Sequence, residues 1–264
     1  MSEPGYPPPP PPSEPPPRGD LYGGPPPTPP GPPGGAPVPP LPWEDRDRIG
    51  FFPALFETVK LFVTSPTEAY ARAKERGDYL SPLLFAVIIG WVMGIIGQLW
   101  NLLFQGAWLS MIPADFRDQM GAMGMGASSA AGFVLGLILT PVIIVVVVFI
   151  WSGIVHLFLM MLGGHKQSAS GFEGTFRAIA YAQTASLAQI IPIPVIGGLI
   201  ALVWSIVLYV IGLVRMHRTS TGKAAGAVLL PIVLCCVCIG LGAVLIGILG
   251  ASALSGMFSG MSEN

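Results

Sequence analysis

"RMHRTSTGKAAGAVLLP", residues 215–231, joins two long apolar runs, and its reading decides the fold. The Gly222-Lys223 pair among hydroxyl residues suggests a phosphate-cradling loop. Such a loop needs G-x-x-x-x-G-K-[ST] between a strand and a helix, so that backbone amides wrap the phosphates and the hydroxyl holds a metal ion. Here Ala224 stands where the hydroxyl belongs, His217 occupies the first glycine's place, and the preceding run reads as an apolar helix. The pattern excludes a nucleotide site. What remains is a polar turn at which the chain leaves a membrane and enters it again. Arg215, His217, Arg218 and Lys223 would anchor that turn in the cytosol, among anionic headgroups. Each charge dragged to the bilayer centre costs on the order of 2.5–3.5 kcal/mol.

Composition points the same way. Only 10% of the 264 residues are charged and 52% are apolar, with a mean hydropathy of +0.67. A soluble surface usually carries about 25% charged residues. Residues 1–42 hold 21 of the 29 prolines, so the remainder is more apolar still. That arm is expected to be a disordered, low-complexity cytosolic spacer whose polyproline runs suit aromatic-lined grooves of cytosolic proteins. The net charge of −1 points to no nucleic acid. No basic start followed by an apolar stretch opens the chain, so the first span is expected to act as its own insertion signal.

From Trp43 the pattern changes, and residues 43–80 read as cytosolic or interfacial amphipathic helices. Phe52, Leu55, Phe56, Val59, Phe62 and Val63 share one helical face, opposite Glu57, Lys60 and Thr64. Ser65 and Glu68 then have the spacing of a capping box, and Gly77 that of a helix stop. Residues 81–258 read as an all-α, five-span membrane domain, with spans near 82–105, 131–162, 173–191, 195–214 and 224–249. Residues 111–130 form a loop between the first two. The third and fourth segments carry no charge between Arg177 and Arg215, yet Pro192 and Pro194 forbid one long helix and impose a reversal. The third is short, about 21 Å from residue 178 to 191 as an α-helix.

Orientation follows from the basic residues. Twelve of the thirteen lysines and arginines fall on one side of this weave, with only Arg117 opposite. Cationic loops stay cytoplasmic, so the N-terminus is expected inside and, with five spans, the C-terminus outside.

Little chemistry is available. His156 is the only ionisable residue well inside an apolar run, expected as an interhelix hydrogen-bonding group, and Glu173 with Arg177 forms an i,i+4 pair near the headgroups. Cys235, Cys236 and Cys238 lie on one helix, where neighbours diverge by about 100°, so they cannot close a tetrahedral metal site. They are expected to serve packing. No metal, cofactor or catalytic constellation is read. Glycine pairs such as Gly90 with Gly94 and Gly132 with Gly136 allow close helix approach, within one chain or in a homo-oligomer.

In order, "HLFLMMLGG" (156–164), "GTFRAIAYA" (174–182), "IIPIPVIGG" (190–198), Trp204 followed by "IGL" (211–213) and "HRTSTGKAAGAVLLP" (217–231) resemble the Yip family, the Ypt/Rab-interacting membrane proteins, in its prokaryotic form. The resemblance covers roughly residues 50–250. It implies a five-span domain with a cytosolic N-terminus, in the cytoplasmic membrane of a prokaryote or the ER and Golgi of a eukaryote. Eukaryotic relatives are linked to vesicle trafficking and Rab GTPases. Asp20, Leu21, Tyr22 and Gly23 are similar to a short partner element of those relatives, although Gly24 displaces its proline. The expected function is a non-enzymatic, membrane-organising or partner-recruiting scaffold. The alternative is a small transporter or channel using the Pro-broken hairpin and His156.

Overall fold

The structure, a computed structural model, describes residues 38–122, 130–166 and 169–262. The proline arm, with Asp20, Leu21, Tyr22 and Gly23, lies outside them. The packed unit begins at Pro39.

Every regular element among the described residues is helical. A 3-10 turn (Pro42–Asp45) leads through α1 (Arg46–Ile49) into α2 (Phe51–Thr64) and α3 (Pro66–Arg72). The long helices are α4 (Leu80–Ser110), α6 (Ala130–Met161), α8 (Pro194–His217) and α9 (Thr221–Ser262). Between α4 and α6 lies a short helix, α5 (Ala114–Ala122), where the composition suggested only loop. Between α6 and α8 comes α7 (Gly171–Tyr181), which continues as a 3-10 helix (Ala182–Ile190).

Four helices are long and apolar enough to cross a membrane: Leu80–Ala107, Gly132–Met161, Val195–His217 and Thr221–Gly242. The expected third span, residues 173–191, is not among them, because its winding changes at Ala182. Thr184 and Ser186 donate their hydroxyls to the carbonyls three residues back, Tyr181 and Gln183, at 2.9 and 2.7 Å. Ala182 and Ala185 fall on one buried edge of the three-residue repeat. Small side chains and back-bonded hydroxyls let the backbone wind tightly between α4 and α8.

The core sits at one end of the bundle. Trp43, Phe62, Tyr70, Phe85 and Tyr181 are buried and pack ring on ring, with Phe62 stacked on Tyr181 at 5.5 Å and edge-on to Tyr70 at 4.9 Å. Away from that end the long helices expose apolar faces, such as Val134, Ile138 and Val142 on α6. Such surface suits lipid and not water.

Three local expectations change. The apolar face of α2 divides: Phe62 is buried and Leu55 and Val59 pack against the core, while Phe52, Phe56 and Val63 stay exposed. No side-chain cap bond forms at Ser65, and α3 ends at Arg72, ahead of the expected stop at Gly77, where Ala73 turns to an extended conformation. The three cysteines are free and exposed on α9 instead of packed. The α4 glycines find partners inside the chain, since a Cβ on Gly90 would lie 2.8 Å from Ile144 and one on Gly94 3.1 Å from Thr140.

Candidate functional site

Two polar clusters meet along α7. Arg177 is fully buried, and burying a charge requires partners on every donor. Its Nε donates to Glu173 at 2.9 Å, the expected i,i+4 pair. Nη1 donates to Glu44 at 2.7 Å, and Nη2 to the Asp78 carbonyl at 2.7 Å, with the Asp78 carboxylate at 3.9 Å. Gly77 serves this approach, because a Cβ there would crowd Nη2 at 3.2 Å.

Glu44 is the hub. Its side chain is 2% exposed, and besides Arg177 it accepts from the Tyr181 hydroxyl at 2.8 Å and the Lys74 amide at 2.9 Å. Around it the segment Leu41–Ser81 is pinned down. The Trp43 amide donates to Thr58 at 2.8 Å, its indole to the Ser81 carbonyl at 2.7 Å, and the Leu41 amide to the Arg72 carbonyl at 3.0 Å. Arg46 lies over the Trp43 ring at 5.0 Å and donates to Ser81 at 2.8 Å. Tyr70 donates to the Ala178 carbonyl at 2.7 Å, and burial pushes its phenol well above the ordinary value near 10.

Two residues before Arg177, Thr175 joins three helices. Its hydroxyl is 2.8 Å from His156 Nδ1 on α6 and 2.8 Å from His217 Nε2 on α8. One hydroxyl proton serves both contacts, so Thr175 donates to one ring and accepts from the other. His217 is buried, and its Nδ1 has no partner among the described residues.

The remaining anchors diverge from His217. Arg215 is exposed. Arg218 ends α8 in the left-handed conformation (φ 50°, ψ 38°) and grips both Glu75 oxygens at 2.9 and 3.2 Å. Lys223 reaches the Gly163 carbonyl at 3.4 Å. The sequence reading passed over Glu44, Tyr181 and Thr175. The one available signal was an acid beside a tryptophan directly after a proline-rich arm. Tyr181 and Thr175 looked like ordinary members of an apolar helix.

Helices of this length and apolarity, with polar groups gathered at one end, define an integral membrane protein of the helical-bundle class. The chain belongs to the Yip family: the family model for the Yip1 domain matches residues 59–243. No curated protein and no solved structure matches the chain. Arg177, Thr175, His156 and His217 lie within the matched stretch, whereas Glu44 precedes it.

Proposed function

We propose that the chain is a non-enzymatic scaffold that organises membrane or recruits cytosolic partners, through its N-terminal arm. The observation carrying this reading is how the buried charge is used. Arg177 is neutralised by Glu44 and Glu173, and the same contacts hold residues 41–44 against the bundle end. A pathway for solute would want such a charge facing a cavity; here it serves as a clasp. Full-length protein purified in detergent should bring cytosolic proteins with it, and removal of residues 1–38 should release them. Unchanged co-purification would count against the arm.

In the same reading, α7 and its 3-10 extension cross as a fifth segment, with the N-terminus cytoplasmic and the C-terminus outside. Eleven α residues at 1.5 Å and nine 3-10 residues at 2.0 Å give about 34 Å, near the roughly 30 Å hydrocarbon thickness. Contacts along α4 support that length. Arg177 meets Asp78 just before α4 begins, and Gln189 accepts from Trp100 at 3.1 Å, about 30 Å further along. Cysteine labelling at positions 166 and 223 should report one common side; opposite sides would overturn the weave.

A transport reading is favoured by one observation, the His156–Thr175–His217 chain with its unpartnered His217 nitrogen. Solute flux in reconstituted vesicles that disappears in His156→Ala would replace the scaffold reading.

A further inference from the structure

A groove of about 470 Å³ opens at the end of α8, between that helix and α3. Its lining is chemically divided. Val210, Ile211 and Val214 are its apolar lining residues, while Arg215, Arg218, Thr67, Thr219 and Thr221 are its polar ones. The division falls where a membrane-length helix ends, since the apolar stretch of α8 runs from Val195 to His217. Hydrocarbon gives way to headgroups at such a place.

The two arginines are not equivalent. Arg218 is held by both oxygens of Glu75, which offsets much of its charge. Arg215 is exposed and has no hydrogen bond or ion pair among the described residues. The polar lining therefore includes one uncompensated guanidinium, a second held by Glu75, and three threonines. A soluble anion would use those polar groups and leave the valine and isoleucine lining wet. A lipid phosphate uses both, because its glycerol and first acyl carbons cover the apolar lining while its phosphate meets the guanidinium. A zwitterionic lipid brings its own cation toward Arg215 and gains less.

We propose that this groove is a binding site for an anionic phospholipid, with the phosphate at Arg215 and the glycerol against Val210, Ile211 and Val214. The site is independent of the scaffold role and needs only that α8 crosses the bilayer.

Native mass spectrometry of the delipidated full chain in detergent tests it, with dioleoyl phosphatidylglycerol, dioleoyl phosphatidylcholine and inorganic phosphate as probes. The wild-type chain should retain phosphatidylglycerol at least about fivefold more tightly than phosphatidylcholine, and millimolar phosphate should not displace it. Arg215→Gln should lower phosphatidylglycerol affinity about fivefold, the worth of one interfacial cation, and leave phosphatidylcholine unchanged. Thr67→Trp keeps every charge and fills the groove, so it should weaken phosphatidylglycerol as well. Both positions are exposed, so neither change removes core packing. Equal retention of the two lipids, or an Arg215→Gln variant that binds as wild type does, would overturn the site. So would loss in Arg215→Gln without loss in Thr67→Trp, which marks diffuse surface charge. Displacement by phosphate would assign the groove to a free anion instead.

Discussion

At the scale of single residues, Glu44 decides how the bundle end is closed. It is almost fully buried and serves three partners, two on α7 and one just after α3. Truncation to Glu44→Ala would leave Arg177 short of a counter-charge in a dry site, a change that costs about 3–5 kcal/mol. The expected result is a large fall in the thermal midpoint of the detergent-solubilised protein. Glu44→Gln keeps one acceptor oxygen, which can still take Arg177 and the Tyr181 hydroxyl while the bond from the Lys74 amide is lost, and should lose distinctly less than the alanine variant. Tyr70 gives a pH signature. Because burial raises its phenol above the unfolded value near 10, the folded state keeps the proton longer than the unfolded state does. That contribution is fully present below about pH 10 and is lost as pH rises beyond it. In Tyr70→Phe the midpoint should fall less steeply above pH 10, at the expense of about 1 kcal/mol at neutral pH for the bond to Ala178. Parallel melting series across that range would check it. Neither residue was legible as special in the sequence. An acid near a proline arm and a tyrosine in a basic helix look solvent-exposed until a partner from residues 177–181 arrives.

At the scale of elements, the reversal between the 3-10 helix and α8 was legible, because two prolines two residues apart cannot continue a helix. The winding of the preceding segment was not. A window of apolar and small residues permits α and 3-10 alike, and the choice came from contacts with α4 and α8. Adjacent glycines at the start of α8 show how specific that packing is. A Cβ on Gly197 would lie 2.8 Å from the Ala188 carbonyl, a backbone atom that cannot swing away. Gly197→Ala should therefore lower stability by about 1–3 kcal/mol. Gly198 faces open space, so Gly198→Ala should be neutral or slightly stabilising, since alanine favours a helix over glycine. Thermal midpoints of the two variants, measured side by side, separate steric contact from helix propensity. A similar fall in both would refute the contact argument.

At the scale of the whole molecule, the anchoring of Leu41, Trp43 and Glu44 places the start of the packed unit at Pro39. A chain lacking residues 1–38 should melt at the wild-type midpoint. A chain lacking residues 1–45 gives up Leu41, Trp43 and the Glu44 hub together and should melt far lower or fail to accumulate. Equal midpoints would mean that the clasp contributes nothing to the fold. The cations share a few contact regions, because Arg46, Arg177 and Arg218 engage Ser81, Asp78 and Glu75 around the start of α4, and Lys223 engages the Gly163 carbonyl just after α6.

By itself the sequence determined the solvent, the class and the family. Too little charge and long uncharged runs admit a membrane bundle and little else, since hydropathy is a local property that each segment carries alone. Tertiary structure decided which polar residues matter. Whether His217 holds a loop in water or closes a buried chain with Thr175 and His156, and whether Glu44 is solvated or locked onto Arg177, depends on residues up to 133 positions apart meeting in space. A buried charge or imidazole takes its role from the partner that replaces water, and no local pattern names that partner.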